Sequence, residues 1–149
     1  MGNTKAIGVA YSDQDIDGGT IGAVTPSTIV GTTVYATTEI GYSAAAQGTV
    51  TQATDKSTAV TLNKSAGRIT MNNASLAANT AVSFTLNNSL ISANDVLIVG
   101  ISGGGTAAAY TTYISSMTTG SAVVTLRNLT SGALSEAVII NFATIHCLT

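Results

Sequence analysis

The chain has 149 residues and a formal net charge of −2, from five basic and seven acidic side chains. Charged residues make up only 8 %, against about 25 % in ordinary soluble domains, aromatics make up 5 %, and tryptophan is absent. Five scattered cations form no basic stripe, which excludes nucleic acid as a partner, and no apolar run approaches the ~20 residues of a membrane span.

The first part of the chain, through GVAYSDQDIDGGTIGAVTPSTIVGTTVYATTEIGYSAAAQ, is interrupted by Gly18-Gly19, the lone Pro26 and Gly31. Its apolar side chains are too sparse to close a core, so residues 1–47 read as an extended N-terminal arm and linker. YSAAAQG is a small-residue joint, and SLAAN further on is likewise too short for more than a turn of helix. The opening MGNTKAIGVAYSD lacks the long apolar stretch of a secretory signal.

Residues 48–149 alternate between β-branched runs and turn chemistry. The runs are STAVTLN (57–63), GRITMN (67–72), TAVSFTLN (80–87), DVLIVGIS (95–102), AYTTYISS (109–116), SAVVTLRN (121–128) and EAVIINFATI (136–145). Short strands at roughly a dozen-residue spacing predict an all-β fold, an antiparallel β-sandwich or a jelly-roll-like barrel. In TAVSFTL, the residues Val82, Phe84 and Leu86 share one face; in SAVVTLRN, Val124, Leu126 and Asn128 do. DVLIVGI and AVIINFATI are continuously apolar and read as central strands buried on both faces, by the other layer or by another subunit. Val138, Ile140 and Phe142 are the expected subunit-interface residues.

Three motifs suggest chemistry. Gly100-Ile101-Ser102-Gly103-Gly104 fits G-x-S-x-G, and Glu136 and His146, the only histidine, follow in the order a serine hydrolase uses. A nucleophile elbow needs a helix after the turn, whereas GTAAAYTTYISS continues as β, so the glycines read as a loop and no enzyme is expected. Without a following Lys they are no phosphate cradle either. Asp13, Asp15 and Asp17, ahead of Gly18, match the front of an EF-hand loop, yet the twelfth position is Val24 instead of Glu. They are weak metal candidates, and no metal or other cofactor is expected. Cys147 has no partner in its own chain. Tyr110 and Tyr113 sit on opposite faces of one strand, and the N-x-[ST] triplets at Asn63, Asn73, Asn87 and Asn128 follow from composition.

The texture of GTVTQATDKSTAVTLNKSAGRITMNNASLAANTAVSFTLNNSLI, with GGTAAAYTTYISS and TLRNLTSGALSEAVIINFATI, resembles a domain of structural proteins in tailed bacteriophages. VTPSTIVGTTVYATT looks like the TPST-x-x-x-TT linker of phage fibre-type proteins, with Ile29 and Val30 where a Gly and an apolar residue are usual. The resemblance covers about residues 48–145. It implies a virion structural protein, a capsid decoration (cement) or head-fibre type β domain, made in the host cytoplasm and carried on the capsid surface. The implied partners are the major capsid protein and copies of itself in a homotrimer. In this reading the arm lays Ile7, Val9, Tyr11, Ile16 and Ile21 into capsid grooves. The rival reading is a receptor- or glycan-binding tip of a head or tail fibre, recognising the host through NNSLISAND and NLTSGALS.

Overall fold

The structure is a computed structural model that describes residues 31 and 33–147. The chain divides into two compact units, Met1–Glu39 and Ile40–Thr149, and the elements below belong to the second. A 3-10 turn at Ala44–Ala46 leads into β1 (Gln47–Thr51), β2 (Val60–Thr61), β3 (Ala66–Thr70) and β4 (Ala81–Asn87). They are followed by β5 (Val96–Gly103), β6 (Tyr110–Thr118), β7 (Ser121–Asn128) and β8 (Ile139–Ile145).

The eight strands form two four-stranded sheets, ordered β1-β3-β8-β5 and β2-β4-β7-β6. This is the expected all-β sandwich, and neither sheet closes into a barrel. The sheets are mixed rather than purely antiparallel, because β1 pairs in parallel with β3 and β2 with β4. A parallel pair cannot be joined by a hairpin and needs a crossover. Here each crossover is a strand of the opposite sheet: β2 lies between β1 and β3 in sequence, and β3 between β2 and β4.

Side-chain alternation builds the core. Phe84 and Leu86 on β4, with Val124 and Leu126 on β7, are buried against Ile69 on β3 and Ile140 and Phe142 on β8. Close approach of the layers requires Gly67: a Cβ there would lie 2.6 Å from Leu62 and 2.7 Å from the Phe142 ring. The loop after β5 requires glycine for a different reason. Gly104 has φ +73°, and a side chain on it would overlap the Ala137 carbonyl.

Buried polar side chains fasten the connections. The Asn128 amide donates to the carbonyls of Leu76 (3.1 Å), Ala77 (3.1 Å) and Gly132 (2.8 Å), and its oxygen accepts from Thr130. That Asn128 is fully buried takes it out of consideration as a glycosylation acceptor. The Lys56 ammonium donates to the carbonyls of Asn72 at 2.6 Å and Glu136 at 2.5 Å, linking two loops across the edge of the core. Burial pushes the Lys56 pKa down, opposed by the Glu136 charge.

The residues ahead of β1 are tied to the compact unit: the Tyr42 hydroxyl donates to the Thr144 carbonyl, and the Gln47 amide donates to the Tyr42 carbonyl at 2.8 Å. Two sequence expectations change. The short strand β1, hidden in QGTVT, adds an eighth element. Finally, β5 is an edge strand and not a central one; only β8 of the two apolar runs has neighbours on both sides.

Candidate functional site

The outward face of the sheet β1-β3-β8-β5 can be read from its register. Thr49, Arg68, Asn141 and Gly100 form one cross-strand row, and Gln47, Ala66, Ala143 and Ile98 form the next. Val96 and Ile145 pair beyond them. Because successive side chains point to opposite faces, these rows share the solvent side.

The face has two halves. Over β1 and β3 it is polar, with an open hollow of about 460 Å³ lined by Gln47, Thr49, Arg68 and Asn141 among others. Among the described residues no carboxylate lies within ion-pair distance of the Arg68 guanidinium. Over β5 and β8 the face is apolar and uncharged. Val96 is 51 % exposed, and Ile98 and Ile145 are each 53 % exposed. Together they form a half-exposed aliphatic cluster on the outward face.

Val138, Ile140 and Phe142 do not belong to that surface. They are buried between the chain's own sheets, at 0 %, 0 % and 4 % exposure. The outward side of β8 carries Ile139, Asn141, Ala143 and Ile145 instead, which the period of two places on the opposite side. The arm residues Ile7, Val9, Tyr11, Ile16 and Ile21, and the acidic trio Asp13, Asp15 and Asp17, lie outside the described residues.

Ser102, Glu136 and His146 are not assembled into a triad. Ser102 sits in a bulge near the end of β5, and its hydroxyl donates to Asn141 Oδ1 at 2.9 Å. Glu136 accepts from the Thr106 hydroxyl at 2.8 Å and the Thr106 N–H at 3.1 Å, and these bonds hold its carboxyl below the usual range. His146 Nδ1 lies 2.9 Å from Asp95 Oδ2. His146 follows Ile145, which pairs with Val96 at the start of β5; six residues of strand at ~3.4 Å each put Ser102 roughly 20 Å away.

Two further groups are more deeply buried than the sequence suggests. Lys56 looks like a surface cation in TDKST, yet it is 3 % exposed. The Tyr110 hydroxyl is buried with no hydrogen-bond partner. Burial pushes its pKa above the usual phenol range, and the nearby Glu136 carboxylate adds to this. No bonding geometry joins the two groups, so we read that influence as electrostatic. Tyr113, on the other side of β6, is exposed, as is the free thiol of Cys147.

Comparison of the chain with protein-family models, with curated proteins and with solved structures finds no match.

Proposed function

We propose that this chain is a structural protein of a tailed-phage virion, a decoration (cement) protein that seats on the major capsid protein as a homotrimer and stiffens the head shell. The observation that carries the reading is the uncharged outer face of β5 and β8, where Val96, Ile98 and Ile145 are half-exposed. It belongs to a chain with 5 basic and 7 acidic residues in 149. Such a surface has little charge repulsion to keep copies apart and apolar area to gain by covering. The likeness of the strand and linker texture to phage virion domains supplies the setting.

The mechanism is additive. Each copy contributes modest apolar burial, and a shell repeats it at every equivalent position, so that many weak contacts together resist outward pressure. The β domain associates with other copies, while the arm, through Ile7, Val9, Tyr11, Ile16 and Ile21, engages the capsid surface.

Densitometry of gels of purified virions tests the reading. A decoration protein follows shell symmetry and is expected in hundreds of copies per particle, on the order of the capsid protein itself. Tens of copies or fewer would overturn it in favour of a fibre tip.

A further inference from the structure

The apolar half of the outer face runs into an open sheet edge. β5 pairs with β8 on one side only, and among the described residues no backbone hydrogen bond reaches its other side. Proteins usually protect such an edge with charge, proline, a bulge or a covering loop. VLIVGISG has no charged residue and no proline, and its bulge lies at the far end, between Ile101 and Gly103. The other edges are different. β2 has two residues and β1 five, while β6 turns the exposed polar side chains of Thr111, Tyr113 and Ser115 outward.

We infer that β5 pairs antiparallel with β5 of a second copy of this chain, joining two four-stranded sheets into one of eight. Charge matching favours a second copy. A two-fold pairing sets each strand against its own sequence, where any charge near the axis would meet its like and cost stability. Val96–Ile101 has none, so self-pairing is free of that cost, whereas a charged partner strand would find nothing to match.

Side-chain parity fixes the register. Outward residues must meet outward residues, so the axis passes through a residue position. Centred on Ile98, the pairing sets Val96 opposite Gly100 and Leu97 opposite Val99, and leaves the bulge outside. Centred on Val99, it would set Val96 against Ser102, inside the bulge. The axis therefore passes through Ile98, which meets the Ile98 of the second copy with the Val96 and Ile145 side chains beside it. A two-fold pairing cannot close a three-fold ring, so within the proposed function it joins one trimer to the next. It extends the self-association in that reading and does not depend on attachment to a capsid.

The test uses the full chain. Paired antiparallel residues have Cα atoms about 4.5–5.5 Å apart, within disulfide range. Ile98→Cys in a Cys147→Ser background is expected to give a covalent dimer on a non-reducing gel after mild oxidation, and Tyr113→Cys on the outer side of β6 is not. Ile98→Lys and Ile98→Glu are expected each to lose the pairing in sedimentation velocity and to regain it when mixed. Both should melt like the unaltered chain, since Ile98 is outside the core. Cross-linking of Ile98→Cys no greater than that of Tyr113→Cys, or charged variants that sediment like the unaltered chain, would overturn the inference. So would association lost in the variants and not restored by mixing, which would assign the edge to a different occupant. A chain that pairs through Ile98 but numbers only tens per virion keeps this inference and sinks the capsid reading.

Discussion

The Asp95 carboxylate fastens the end of the last strand to the beginning of β5: Oδ2 lies 2.9 Å from His146 Nδ1, and Oδ1 accepts the Cys147 N–H at 3.1 Å. Ser92 completes the cage, its N–H 2.8 Å and its hydroxyl 2.7 Å from the two oxygens. These donors hold Asp95 well below the usual carboxylate range, the Ser92 N–H contributing most and burial opposing it.

The sign of the pH dependence follows. The folded pKa is below the ordinary 3.8, so the unfolded chain takes up the proton first. The stabilisation is complete above the ordinary value and is lost as pH falls through it toward the folded pKa. Glu136 and Asp55, lowered by hydrogen bonds from Thr106 and Ser57, act in the same direction. Calorimetry is expected to show a level melting temperature from neutral pH down to about 5 and a steep fall below about 4. Asp95→Asn should make the fall shallower; an unchanged acid limb would contradict the role given to Asp95.

Lys56→Met keeps the aliphatic stem but removes the donor shared by the Asn72 and Glu136 carbonyls. Leaving two such acceptors without their charged partner is expected to destabilise the domain by about 2–4 kcal/mol in urea unfolding. A loss under about 0.5 kcal/mol, the usual scale of surface substitutions, would show that Lys56 is not the fastening between those loops.

Gly67→Ala drives a methyl group against Leu62 and the Phe142 ring, and overpacking of this kind costs about 1–3 kcal/mol. Gly132→Ala, with nothing within 4 Å of the new atom, is the matched control. Its effect is expected to stay within about 0.5 kcal/mol. Equal effects at the two positions would mean that the layers can separate to admit the methyl.

Ser102→Ala removes one exposed hydrogen bond to Asn141. With Glu136 and His146 engaged elsewhere, the unaltered chain and the variant are both expected to hydrolyse an activated ester at the rate of the protein-free blank. Turnover by the unaltered chain that the substitution abolishes would restore Ser102 as a nucleophile.

The strands were legible where alternation was clean. Val82, Phe84 and Leu86, and likewise Val124, Leu126 and Asn128, point inward as the period of two requires. Continuous apolar runs were less informative. DVLIVGI reads the same whether its second face is covered by protein or left open at an edge, and only the strand order separates the two. The same ambiguity put Val138, Ile140 and Phe142 at an interface, although the inward face of β8 is the core and the outward face is the exposed one. β1 was missed because QGTVT offers one aliphatic residue, Val50, and gains its place by parallel pairing with β3. Lys56 was illegible in principle, since its partners are carbonyls 16 and 80 residues away.

The proposed function and the pairing of β5 both require the chain to associate with copies of itself. Sedimentation of the purified full chain through a dilution series measures this directly. The account predicts an assembly larger than a trimer that persists to low micromolar concentration and falls back to the trimer in Ile98→Lys; a stable monomer at every concentration would contradict it.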